Sequence, residues 1–273
     1  MTIDSHVHFW EYNDARDAWM KGSKILQQDY LPEHLAVTLK RNGVDGCIAV
    51  QADQSELETH FLVELAKTHP EIKGVVGWID LQNENAEERL QYFSQYNIIK
   101  GWRHIAQAEP AGFLLGEKFN RGIAALQSFN YTYDVLIFHH QLAEAVAFAS
   151  KYPAQTFIID HCAKPDIKNR EIEEWKKNIT AMAQMPNVYC KLSGLFTEAA
   201  YKKWSPADFY PYLDVVFDAF GTTRLLFGSD WPVMLLSGMY VQWKSLLEKY
   251  MENYPQEERE NVFGNNAIKV YSI

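Results

Sequence analysis

Short apolar runs alternate with longer amphipathic stretches along the whole chain. The runs are TIDSHVHF (2–9), VDGCIAVQ (44–51), IKGVVGWID (72–80), NIIKGWRHI (97–105), YTYDVLI (131–137), TFIIDH (156–161), NVYCKLSG (187–194) and RLLFGSD (224–230). They are rich in Val, Ile and Leu with little polar alternation, the signature of strands covered on both faces in a parallel sheet. A helical pattern fills each gap. PEHLAVTLKRNG has Pro32 near its start and Gly43 beyond its end, the expected asymmetry of a helix. SELETHFLVELAKTHP opens on Ser55 with Glu58 three residues on, a capping box. Further helices are predicted over 84–96, 115–129, 140–151, 169–184, 206–219, 238–252 and 256–269.

Eight strand–helix units in 273 residues predict an α/β fold, a distorted (β/α)8 TIM barrel forming a single domain over 1–273. A doubly wound open sheet is the rival. It requires a Gly-rich turn after the first strand, where this chain has His6-Val7-His8.

Composition narrows the partners. The formal net charge is −9 and the Lys and Arg residues are scattered, which disfavours a nucleic-acid surface. No apolar run approaches the ~18 residues of a membrane span. No basic segment followed by an apolar one marks a secretory signal. Cys47, Cys162 and Cys190 have no disulfide or Cys-zinc spacing, and a cytoplasmic location fits.

The unusual polar residues fall at predicted strand ends. In a barrel the C-terminal strand ends build the active site. His6 and His8 close the first strand; residues two apart face the same way, so both can point inward. Gln51 and Asp53 end the second strand, and Trp78 and Asp80 the third. Arg103 and His104 end the fourth, and His139 and His140 follow the fifth. Asp160 and His161 end the sixth, Lys191 and Ser193 the seventh, and Ser229 and Asp230 the eighth, where Pro232 forces an extended exit. Six of the nine histidines thus gather at one rim. Neutral imidazoles with a carboxylate suit Zn²⁺ or a similar divalent ion, which would lower the pKa of a bound water. Asp230, expected opposite the His pair across the barrel, could take that water's proton. The same groups could also activate water without a metal. His139 and His140 read as solvated or capping residues, His34, His60 and His69 as surface residues, and Cys162 as a packed thiol rather than a nucleophile.

DSHVHFW, GWRHI, DHCAKP, CKLSGL and LLFGSDWPV, in this order, resemble the amidohydrolase superfamily. More narrowly the chain is similar to the amidohydrolase-2 group, in its branch of sugar-lactone and dicarboxylate-lactone hydrolases. The resemblance runs from Asp4 to the terminal NAIKVY at 266–271. It implies a lactonase that opens a small sugar lactone of the L-rhamnono- or L-fucono-lactone type. It implies a centre of His6, His8, His161 and Asp230, the four expected metal ligands if Zn²⁺ is bound. In that reading Asp230 is the general base and His161 polarises the carbonyl or orients water. Arg103, His104 and Lys191 would bind substrate oxygens, and Trp19, in the first loop, would wall the sugar pocket. The chain departs from the wider superfamily in having Arg-His, not a lysine, at the fourth strand end, which argues against a binuclear site. The fifth strand lacks a clear ligand histidine at its tip, and metal-independent activity stays open. The alternative activity is metal-dependent decarboxylation of an aromatic or unsaturated acid, and a non-catalytic barrel is the third reading. The expected partner is a small lactone, with the chain a monomer or homodimer.

Overall fold

The computed structural model describes all 273 residues. Eight parallel strands form one sheet in sequence order: β1 (Ile3–Val7), β2 (Gly46–Val50), β3 (Ile72–Gly77), β4 (Ile99–His104), β5 (Thr132–Val135), β6 (Phe157–Ile159), β7 (Val188–Leu192) and β8 (Leu225–Phe227). The sheet closes on itself. His8 N donates to Trp231 O at 2.7 Å and Asp230 N to His6 O at 2.9 Å, so the chain beyond β8 pairs with β1. The (β/α)8 barrel is therefore the observed fold, and the open sheet is not.

The helices are α1 (Pro32–Arg41), α2 (Glu56–Thr68), α3 (Ala86–Phe93), α4 (Glu117–Gln127), α5 (Leu142–Ala149), α6 (Glu173–Ala183), α7 (Leu195–Glu198), α8 (Pro206–Phe220), α9 (Tyr240–Tyr250), α10 (Gln256–Glu260) and α11 (Asn266–Tyr271). Two local expectations change. Ser55 caps α2 by accepting from Glu58 N at 3.2 Å, but the Glu58 carboxylate does not return to Ser55. It accepts from Ala52 N instead, at 3.0 Å, so only half of the capping box forms. The single terminal helix expected over 256–269 is interrupted by a π-turn at Asn261–Asn265. There the backbone presses on the N-terminus: a Cβ added to Gly264 would lie 1.8 Å from Met1 O.

The main core lies between the barrel wall and the helices. Outward-facing Trp102, Tyr133 and Phe157 pack against Phe93, Phe119 and Phe148 of α3, α4 and α5. The bore has its own small apolar layer of Ile3, Ile48, Val50, Val76, Ile158 and Leu226, and Tyr271 of α11 closes it from below. Above this layer the bore turns polar. All three cysteines are free and buried. No helix is long and apolar enough to cross a membrane.

Candidate active site

β1 is irregular in its pairing with β2 between Asp4 and Val7. His6 and His8 then both point inward, and Val7 joins the outer core. Their Nε2 atoms lie 3.2 Å apart. Asp230 Oδ1 lies 3.4 Å from His8 Nε2, 3.9 Å from His6 Nε2 and 3.8 Å from His161 Nε2. Asp230 was expected across the barrel from the His pair. It is instead their neighbour, because closure sets the β8 exit beside β1. The exit pairs Trp231 with Val7, while Asp230 itself sits in the left-handed region at φ 63°.

The partner of His8 assigns its tautomer. His8 Nδ1 lies 2.7 Å from Val50 O, a pure acceptor, so Nδ1 carries the proton and Nε2 is bare. His6 meets a donor at each nitrogen, Arg103 Nη1 at 3.2 Å from Nε2 and Lys191 Nζ at 3.2 Å from Nδ1, and its Nδ1 also faces Asp160 Oδ1 at 3.3 Å. His161 Nδ1 bonds Ser193 Oγ at 2.8 Å, which fixes its ring. Three imidazoles and a carboxylate thus converge on one small volume. Burial lowers His161 to a pKa of about 4 and holds His6 well below the ordinary imidazole value, so both stay neutral. Burial pushes Asp230 up, but the facing imidazoles of His161 and His8 and the ammonium of Lys164 outweigh it, and Asp230 ends below the usual carboxylate range. Ligand atoms of His6, His161 and Asp230 all lie within 4.8 Å of one another, and His8 Nε2 borders the set. Such converging acceptors are the donor chemistry of a divalent cation site. The Arg103 bond to His6 Nε2 occupies the same nitrogen.

A buried ionic layer lies beneath. Lys191 Nζ pairs with Asp134 Oδ2 and, at 3.0 Å, with Asp160 Oδ1. Arg103 Nη1 reaches Asp160 Oδ2 at 3.0 Å, and its Nη2 bonds the Gln51 backbone oxygen and Oε1. Tyr271 Oη donates to Asp134 Oδ2 at 3.0 Å. Burial raises Asp160, but Lys191, His6 and Arg103 hold it well below the carboxylate range. The layer fixes His6 and Arg103 from below.

Above the centre opens a cavity of about 330 Å³, lined among others by His8, Trp19, Arg103, His161, Lys164 and Asp230. Of the residues expected to touch substrate, Trp19 and Arg103 line it. His104 and Lys191 do not. His104 faces outward, stacked on Phe113 at 4.7 Å, with Nε2 bonded to Glu109 at 2.8 Å and Nδ1 accepting from Trp78 at 3.3 Å. Lys191 is sealed in the ionic layer. His139 Nδ1 meets Lys164 O at 2.9 Å, and His140 is exposed. Three contributors were missed. Gln107 and Lys164 line the cavity, and Asp134 anchors the layer below. The signal for Asp134 was an acid inside the apolar run YTYDVLI; for Lys164 it was the lysine of DHCAKP.

A family description of amidohydrolases matches residues 3–273. The chain belongs to the amidohydrolase family. The L-fucono-1,5-lactonase of Burkholderia multivorans is 37% identical over 100% of this chain and 96% of its own length. A crystal structure of an amidohydrolase from Burkholderia multivorans with bound Zn superposes with a TM-score of 0.96 at 37% identity, covering 100% of this chain and 99% of that one. The L-rhamnono-gamma-lactonase of Scheffersomyces stipitis is 28% identical over 66% of this chain and 61% of its own length.

Proposed function

We propose that this amidohydrolase hydrolyses a small sugar lactone, of the L-fucono-lactone type, to the open acid. The observation that carries the reading is the convergence of His6, His8, His161 and Asp230 on the floor of a cavity sized for one sugar ring. The relatives named for L-fucono-1,5-lactone and L-rhamnono-gamma-lactone support the substrate class.

Asp230, held ionised, accepts a proton from water as its oxygen adds to the lactone carbonyl carbon. The acyl C–O bond to the ring oxygen then breaks, and the ring oxygen leaves as a hydroxyl carrying that proton. His161 is held by Ser193 and orients the water or the carbonyl. A divalent ion, Zn²⁺ by the donor set, would be held by His6, His8, His161 and Asp230; when bound it lowers the pKa of water and polarises the carbonyl. Arg103 and Trp19 contact the sugar, as the two cavity-lining members of the expected set. His104 supports the wall from outside, and Lys191 holds the floor.

Ring opening yields an acid, so proton release against a panel of sugar and dicarboxylate lactones tests the reading. Turnover of a sugar lactone that falls by roughly 100- to 10,000-fold in Asp230→Asn supports it. A silent panel, or turnover untouched by D230N, overturns it.

A further inference from the structure

The chain leaves β6 by a turn that L-amino acids avoid. His161, Cys162, Ala163 and Lys164 have φ of 54°, 52°, 57° and 48° in succession, one turn of left-handed helix. Each left-handed residue is disfavoured by its Cβ, and none of the four is glycine. The turn persists because each part is held separately. Lys164 N closes on His161 O at 2.8 Å. Cys162 O accepts from Trp175 Nε1 at 2.8 Å, and Lys164 O meets His139 Nδ1 at 2.9 Å.

The geometry has a consequence for the side chains. A helical turn of either hand brings residues i and i+3 to one side. Here those are His161 and Lys164, and both line the cavity, while Cys162 and Ala163 pack into the core. The Lys164 ammonium lies 5.3 Å from the centre of the Phe138 ring, a soft support that leaves its three protons unspent. Asp230 and Glu198 feel its charge without pairing with it. The other cation at the cavity, Arg103, is already committed to Asp160 and Gln51.

Lactone hydrolysis builds negative charge on the carbonyl oxygen and ends in a carboxylate beside ionised Asp230. That charge needs a cation not already neutralised. We propose that Lys164 is the carboxyl anchor of this site: its ammonium holds the carbonyl oxygen of the lactone and then the product carboxylate. The proposal rests on the lactonase reading for its substrate, and the left-handed turn is the device that delivers the anchor beside His161.

The test is calorimetric titration of the full chain with two probes. L-fuconate is the ring-opened acid; L-fucitol has the same skeleton with an alcohol in place of the carboxylate. The wild type is expected to bind the acid at least about tenfold tighter. Lys164→Met should erase that preference and leave fucitol affinity unchanged, and Lys164→Arg should restore part of it. With the lactone, K164M should lose about 100- to 1,000-fold in kcat, with a smaller change in KM. A preference that persists in K164M, or a wild type with none, overturns the anchor. A preference abolished by K164M in a protein that opens no lactone sinks the reaction and leaves the anchor standing. Binding of neither probe overturns both.

Discussion

The ends of β4 and β6 look alike in sequence, a charged residue followed by histidine, yet they place their histidines on opposite sides of the barrel wall. At β4 the strand continues regularly through Arg103 and His104. Neighbouring side chains on a strand point to opposite faces, so Arg103 enters the bore and His104 faces the helices. At β6 Asp160 also enters the bore, and regular continuation would turn His161 outward. The left-handed turn reverses it, and both Asp160 and His161 face inward. Two adjacent inward side chains thus require a break in the strand, and the break requires strain. The strain sits where the chemistry is, and Asp230, at φ 63°, shows the same pattern at the β8 exit.

The sharpest way to break this comparison is to remove each histidine. Histidine-to-alanine at 161 is expected to cut kcat/KM by roughly 100- to 10,000-fold. The same change at 104 should leave kcat/KM within a few-fold of the wild type and lower thermal stability through lost stacking and hydrogen bonds. Equal losses in the two variants would put His104 in the site after all. A second, smaller blow reaches His161 indirectly. Gly194 has φ 65°, and a Cβ there would lie 2.5 Å from His161 Nδ1. Gly194→Ala should displace the ring and reduce turnover by at least about tenfold, since small misplacements are costly. Unchanged turnover would mean that His161 needs no fixed orientation.

The barrel was legible because its signal is redundant. Each of eight units repeats the same apolar run and amphipathic stretch, and an error of a residue or two at any boundary does not change the count. The convergence of His6, His8, His161 and Asp230 was legible as a candidate cluster because polar residues at strand ends stand out against apolar runs. What the pattern does not carry is the facing of a residue just past a strand. DHCAKP contains no glycine to announce a left-handed turn, so nothing in its pattern turns Lys164 towards the cavity. Lys191 sits one layer below the rim, a depth the pattern does not encode, and pairs there with Asp134 and Asp160 in the bore.

Proton linkage gives a subtler measure of His104 as a buried wall residue. Burial lowers the His104 pKa, against the opposing pull of Glu109. A histidine harder to protonate when folded leaves stability intact above its unfolded value, about 6.5. That contribution is lost as pH falls from there through the lowered folded value, because the unfolded chain takes up the proton first. Histidine-to-glutamine at 104 should therefore flatten the fall in melting temperature from pH 7 towards pH 5. An unchanged slope would show that other groups set it.

The smallest effect probes the turn itself. Ala163 is fully buried at φ 57° between His161 and Lys164. Ala163→Gly removes a left-handed penalty of roughly 1–2 kcal/mol. It also loses a buried methyl worth about 0.8 kcal/mol and adds about 0.5–1 kcal/mol of backbone freedom to the unfolded chain. The three terms nearly cancel, so chemical denaturation should shift by no more than about 1 kcal/mol. Activity should not follow stability. Glycine opens right-handed alternatives at the centre of the turn, and His161 and Lys164 then share the cavity for less of the time. Turnover should fall severalfold at nearly constant stability. A variant that is clearly more stable and fully active would show that the neighbours of the turn, Trp175 and His139, hold it in place whatever residue stands at 163.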